Sequence, residues 1–324
     1  MSAPAGPPDM AAITAAIVHL NAGKYFQIAA FVMLIYDHML TFSDEVERIW
    51  KQKISGATIL FLLNRYLTPL QFIVIINAFQ DPSWTKEVCD RFVVFEGAST
   101  AALVGICELI MILRVYALYG QSKAVLAFLM LLWVVQISVS AAGLHTGFAV
   151  PLPDFLVGCI LTGNSLLMPA VWVTPLITDS CIFILTVWRT RQYLTRSGKT
   201  PIMHIFLRDG AMYFFVIFLA NLLNTVFYFT AVDDLKAIGA SFSQLITATM
   251  ISRLVLNLRS ISDTKNVHST YPSTLAPLRG VKTPEDTFVG RTLGSLGAEL
   301  VDPGTEDRDE KFAMEDVTTR STWQ

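Results

Sequence analysis

Charge is scarce in this chain. Charged residues fill 15% of its 324 positions and hydrophobic residues 53%. That balance leaves more apolar surface than a soluble domain can bury. The net charge of −2 excludes a broad electrostatic affinity for nucleic acid. Met1–Asp9 has no Lys or Arg. It therefore lacks the basic region of a cleaved signal peptide, and the first apolar block is expected to be retained. No pair among His19, His38, His145, His204 and His268 has metal-ligand spacing. A zinc hydrolase, which needs several such ligands together, is not expected. There is no glycine-rich phosphate loop. No Lys in the last apolar block can anchor a retinal Schiff base. No Asn-x-Ser/Thr sequon offers an N-glycosylation site. These absences lead to an expectation of no enzyme, no cofactor and no metal.

What is present is a beat of seven apolar blocks, Tyr25–Phe42, Ile54–Phe79, Phe92–Tyr119, Ala124–Thr146, Ser165–Trp188, Gly210–Val232 and Ala237–Leu258. A spanning helix needs about 20 mostly apolar residues, and each block is near that length. The expected fold class is all-α, a polytopic membrane bundle of seven transmembrane helices with a receptor-like layout. The lipid bilayer is its first partner. Residues 1–24 form an outer segment, 25–258 the bundle and 259–324 a tail. Met10–Leu20 is also apolar, and either lies on the outer surface or extends helix one through Asn21–Lys24. The tail is rich in Ser, Thr, Pro, Gly and acids, and cannot bury enough apolar area to offset its ordering entropy. It is expected to be disordered.

Basic residues collect in alternate links. Arg48, Lys51 and Lys53 follow block one. Arg114 and Lys123 flank the link after block three, and Arg189, Arg191, Arg196, Lys199 and Arg208 follow block five. Arg253, Arg259 and Lys265 end block seven. Short basic links stay in the cytosol, so the N-terminus is expected outside and the C-terminus inside, in the plasma membrane. Cys89 and Cys159 then both face the oxidising side, where disulfides persist, and form a candidate pair. Cys107 and Cys181 fall inside spans and read as small buried residues.

Ionisable groups inside a membrane are costly and usually face the bundle interior. Asp37, Arg65, Glu108 and Asp179 form the candidate charge cluster. At about 1.5 Å of rise per residue, Arg65 lies about 16 Å from the inner start of helix two and Glu108 about 24 Å from the outer end of helix three. Glu108 or Asp37 is the expected counter-charge of Arg65, as a folding clamp or as a switch. Glu96, Asn221, Asn224, Tyr228 and Gln244 are candidate pocket-lining residues. Asn221, Asn224 and Tyr228 share one helix face. Pro69, Pro169 and Pro175 are expected to kink their helices.

Tyr36-Asp37-His38-Met39-Leu40-Thr41-Phe42, followed by Glu45-Val46-Glu47-Arg48-Ile49-Trp50, resembles a large family of fungal membrane proteins best known from mushroom-forming fungi. That family is catalogued as a domain of unknown function. Phe61-Leu62-Leu63-Asn64-Arg65-Tyr66, Leu113–Tyr119, Asp209-Gly210 and Ser252-Arg253-Leu254 are similar to further pieces of it. The resemblance covers residues from about 25 to 260. It implies a seven-helix multi-pass protein and no particular activity. Read physically, Ser43 caps a short inner turn with Glu45 and Glu47 near its start, and Trp50 sits at the interface.

The layout matches that of G-protein-coupled receptors, so a receptor-like sensor of an unknown ligand is expected, with a cytosolic partner at the inner links and tail. Arg114 and Tyr116 stand where such receptors carry an acidic-arginine-aromatic switch, but Leu113 replaces the acid. A small-solute or ion transporter, or a membrane scaffold, is the alternative.

Overall fold

The computed structural model describes residues 10–52, 54–81, 84–149, 159, 161–162, 167–196, 201–231 and 238–268. Several sequence expectations concern residues outside these: the chain before Met10, Lys53, Lys199 and the acidic tail after His268.

The described residues are helical apart from one short strand pair. The helices are α1 (Met10–Leu40), α2 (Phe42–Glu45), α3 (Gly56–Gln80), α4 (Lys86–Leu118), α5 (Lys123–His145), α6 (Leu167–Arg196), α7 (Pro201–Thr230) and α8 (Ile238–His268). A π-helical turn, Val46–Trp50, continues α2. Strands β1 (Phe148–Ala149) and β2 (Leu161–Thr162) pair antiparallel, with Phe148 opposite Thr162.

Local sequence accounts for several helix boundaries. Ser55 starts α3 with a capping box: its hydroxyl accepts the Thr58 amide, and the Thr58 hydroxyl accepts the Ser55 amide. Gly120 and Gln121, both with positive φ, end α4 and turn the chain into α5. Asn21–Lys24 does not interrupt α1, which runs unbroken from Met10 to Leu40. α8 likewise runs past Leu258 to His268. Ser43 lies inside α2 and is not its cap; Thr41 holds that position. Pro69 and Pro175 lie inside helices, whereas Pro169 falls in the first turn of α6, where its missing N–H has no intrahelical partner to lose.

Consecutive long helices pack side by side, and α8 returns against α1 and α3 to close the ring. α4 touches α3, α5, α6 and α8, which makes it the central post. Its buried face (Cys107, Ile110, Met111, Ile112, Val115) sits in the main core with Phe61, Leu129, Ile182, Phe214, Ile251 and Leu254. Beside this apolar core the bundle buries many polar groups, while its outer surface is apolar. On α3, Asn64, Arg65, Thr68 and Gln71 are buried while Leu63, Leu67, Leu70 and Ile73 are exposed. Lipid favours that arrangement, because backbone and side-chain polar groups find partners only inside the protein.

Among the described residues, six helical segments are long and apolar enough to cross a membrane: Ile17–Leu40, Gly56–Gln80, Glu87–Leu118, Lys123–His145, Leu167–Gln192 and Gly210–Thr230. The chain is thus a multi-pass membrane protein. The seventh block, now α8, is not among the six. Ser241, Ser243, Gln244, Thr247, Thr249, Ser252 and Arg253 dilute its hydropathy, and four of them (Ser243, Gln244, Thr247 and Ser252) are buried against the bundle.

Candidate functional site

The turn between α1 and α3 folds back into the bundle and delivers a carboxylate to Arg65. The Arg65 Nε lies 2.7 Å from Glu45 Oε2, and both side chains are 1% exposed. The other Glu45 oxygen accepts the Tyr66 hydroxyl at 2.7 Å and the Trp50 indole N–H at 3.1 Å. Arg65 Nη2 donates to the His38 carbonyl at 3.0 Å and the Thr41 hydroxyl at 2.9 Å. Its guanidinium also lies over the Phe61 ring, 5.7 Å from the centroid. His38 places one ring nitrogen 2.8 Å from the Leu34 carbonyl and the other 2.8 Å from the Arg65 carbonyl. Together these contacts bind the end of α1, the turn and the middle of α3 into one buried unit.

The partner of Arg65 is therefore neither Glu108 nor Asp37. Asp37 is paired with Arg253 on α8. Glu45 escapes a sequence reading because its neighbours Asp44, Glu47 and Arg48 mark the turn as a surface. A π-helical turn carries one extra residue per hydrogen-bonded ring, and here the wider turn accompanies the inward aim of Glu45.

A polar seam runs from this lock along α3 and α8. The Asn64 amide donates to the Ala248 carbonyl at 3.1 Å and to Ser252 at 3.3 Å, and its oxygen accepts the Cys107 thiol at 3.1 Å. Two turns along α3, Gln71 donates to Ser99 at 2.9 Å and Thr100 at 2.8 Å, and accepts from Gln244 at 2.8 Å. Gln27 of α1 donates to Ser241 at 3.2 Å. These bonds join α1, α3, α4 and α8.

Glu108 and Asp179 belong to a separate cluster. Gln136 of α5 donates to Glu108 at 2.6 Å and accepts the Thr178 hydroxyl at 2.7 Å. Asn221 of α7 donates to Asp179. Sequence reasoning passed over Gln136 and Thr178. A lone glutamine inside the apolar block of α5 was the signal for the first.

The five candidate lining residues do not meet at one place. Asn221 faces α6, whereas Asn224 packs against Gly239 of α8, where an added Cβ would come within 2.7 Å of its side-chain oxygen. Tyr228 packs on Trp172, with centroids 5.8 Å apart. Gln244 joins the seam on α3. Glu96 is half-buried on α4, and its carbonyl accepts the Ser99 hydroxyl at 3.1 Å.

At the opposite end of the bundle from the lock, Cys89 at the start of α4 is bonded to Cys159, with Cα atoms 5.4 Å apart. Cys159 is buried with Ile75, Ala78, Phe92 and Val93. Cys107 is free and buried, and Cys181 is free and half-buried. At the lock end, Arg114 lies over the Phe214 ring at 5.2 Å, close enough to Gly210 that a Cβ there would stand 2.3 Å from its Nη2.

Residues 25–70 match the model of a family of unknown function, DUF6533. That stretch holds Asp37, His38, Thr41, Glu45, Trp50, Phe61, Arg65 and Tyr66, which is the whole lock except Arg253. Among curated proteins, no match to the chain was found.

Proposed function

We propose that the protein is a receptor-like sensor of seven spans in the plasma membrane, with the lock end in the cytosol. α8 is the seventh span, with Ser243, Gln244, Thr247 and Ser252 turned into the bundle. Arg48, Lys51, Arg114, Lys123, Arg189, Arg253 and Arg259 gather at the lock end, which supports a cytosolic placement. The disulfide at the other end suits the oxidising side.

The observation that carries this reading is the buried Arg65–Glu45 pair. It holds a link, at the face where a cytosolic partner would dock, inside the bundle. Such a pair gives a two-state element: an event that separates α1 from α3 releases the turn and exposes its buried groups. Arg259 adds a second hold on the same turn, donating to the Arg48 carbonyl at 3.0 Å.

A second reading, a small-solute or ion carrier, draws on the polar seam from Gln71 to Asn64. One experiment separates the two. Ile49 is 2% exposed, so a cysteine placed there in the full chain in nanodiscs should react slowly with maleimide, measured above the background of the parent chain. Glu45→Gln should weaken the lock and speed that reaction severalfold, while proteoliposomes holding the parent chain pass no solute. Unchanged protection in Glu45→Gln, together with ion or solute flux, would overturn the sensor in favour of the carrier.

A further inference from the structure

Two backbone carbonyls beside the lock lose their helical donors for different reasons. Pro69 has no N–H, so the Arg65 carbonyl, one helical turn earlier in α3, receives no intrahelical bond. The His38 carbonyl belongs to the last turn of α1, which ends at Leu40, and such carbonyls have no intrahelical donor either. A carbonyl left without a donor at membrane depth is costly. Here each is answered by the other residue's side chain. His38 Nε2 lies 2.8 Å from the Arg65 carbonyl, and Arg65 Nη2 donates to the His38 carbonyl at 3.0 Å. A carbonyl oxygen only accepts, so Nε2 must carry a proton for its bond to exist. Nδ1 lies 2.8 Å from the Leu34 carbonyl, to which the His38 amide already donates within α1. In a neutral ring the proton therefore belongs on Nε2, against the carbonyl that lacks a helical donor.

We propose that His38 is the positioning residue of the lock: its ring stands in for the amide that Pro69 lacks and so sets Arg65 against Glu45. At Arg65 the backbone of α3 is one bond short, and α1 supplies that bond. The ring thereby fixes the backbone of the residue whose side chain carries the charge. The Arg65 side chain returns the hold on α1 and places its Nε 2.7 Å from Glu45. Without the imidazole N–H, α3 is free to bend at Pro69 and to carry Arg65 away from the turn. The clasp rests on the reading of this turn as a releasable element, and it names the joint at which release begins.

The test is a double-mutant cycle in the full chain in nanodiscs, read by maleimide labelling of a cysteine placed at Ile49. His38→Phe keeps a ring and removes both nitrogens, and should speed labelling severalfold. Pro69→Ala gives α3 back an amide for the Arg65 carbonyl. In that background His38→Phe should change the rate by less than about twofold, because the two replacements share one carbonyl. Equal speeding in both backgrounds would mean that the ring acts by packing alone, and would overturn the proposal. Should His38→Phe not fold, nitrogen NMR of the histidine-labelled parent gives the answer, with the His38 signals assigned through His38→Gln. Nε2 should be protonated, and its signal should move in Pro69→Ala as the carbonyl gains a second donor. A ring protonated on Nδ1 alone, or an Nε2 signal unmoved by Pro69→Ala, would equally overturn it. The clasp and the releasable lock fail separately. Faster labelling in Glu45→Gln without coupling in the cycle removes the clasp and keeps the lock. Coupling in the cycle with no effect of Glu45→Gln keeps the clasp and removes the ion pair as the hold.

Discussion

Arg65 is the largest side chain in the bundle with essentially no solvent access. An unpaired guanidinium at that depth is costly, and the pair with Glu45 exists to avoid that state. Removal of one partner strands the other. Arg65→Ala is expected to destabilise the protein by about 3–5 kcal/mol, the usual cost of breaking a buried pair. The double replacement Arg65→Met/Glu45→Gln should recover part of the loss, because neither charge is then left alone. Thermal unfolding in detergent reads both. Arg91→Ala removes a pair whose side chains are 80% and 78% exposed, and should leave Tm unchanged. An Arg65→Ala protein as stable as the parent would mean that water reaches the site.

At the scale of the element, two devices hold the ends of the bundle. The lock fixes the turn between α1 and α3. The Cys89–Cys159 bond, between residues 70 apart in sequence, pins the segment carrying β2 to the start of α4. Closing so long a loop restricts the unfolded chain, and such bonds contribute about 2–4 kcal/mol. Mapping by mass without reductant should recover the cross-linked peptides. Cys159→Ser should lower stability within that range while the lock stays intact, since Cys159 belongs to a core cluster of its own at the far end. Free thiols at both positions would exclude the bond. The closest helix contacts also depend on small residues. A Cβ added at Gly143 of α5 would come within 2.4 Å of Val171 of α6, so those two helices approach at a distance only glycine allows.

For the whole molecule the open quantity is the number of crossings, and it decides where the ends lie. Seven spans put the two ends of the described chain on opposite faces of the membrane, and six put them on the same face. Small tags fused before Met1 and after Gln324 should show opposite accessibility in sealed cells, the C-terminal one being protected. Equal accessibility would remove α8 from the count of spans. α8 falls below a hydropathy criterion because its serines, threonines and Gln244 point to α3 and α4, as the bonds from Asn64 to Ser252 and from Gln244 to Gln71 record. A window average counts these polar groups against the helix although it is the bundle that receives them, and the apolar Leu245, Ile251, Leu254 and Val255 of α8 are buried beside them.

The sequence alone determined the membrane class, the order of the seven long helices among the described residues and the short links between them. Those follow from local composition and from the length of apolar runs, which need no knowledge of neighbours. It also singled out Asp37, Arg65, Glu108 and Asp179, because any charge inside an apolar run stands out. Only the tertiary structure decided who pairs with whom. Glu45 lies twenty positions before Arg65 in a charged turn, and Arg253 lies far from Asp37 in the last helix. Pairing across a bundle depends on helix rotation and on the depth to which a turn folds back. Neither has a period in the sequence. The same holds for α1, whose Asn-Ala-Gly-Lys stretch reads as a break but stays helical because the helix continues on both sides of it. It holds as well for Gln136 and Thr178, ordinary residues of two apolar helices until packing set them beside a buried pair of acids.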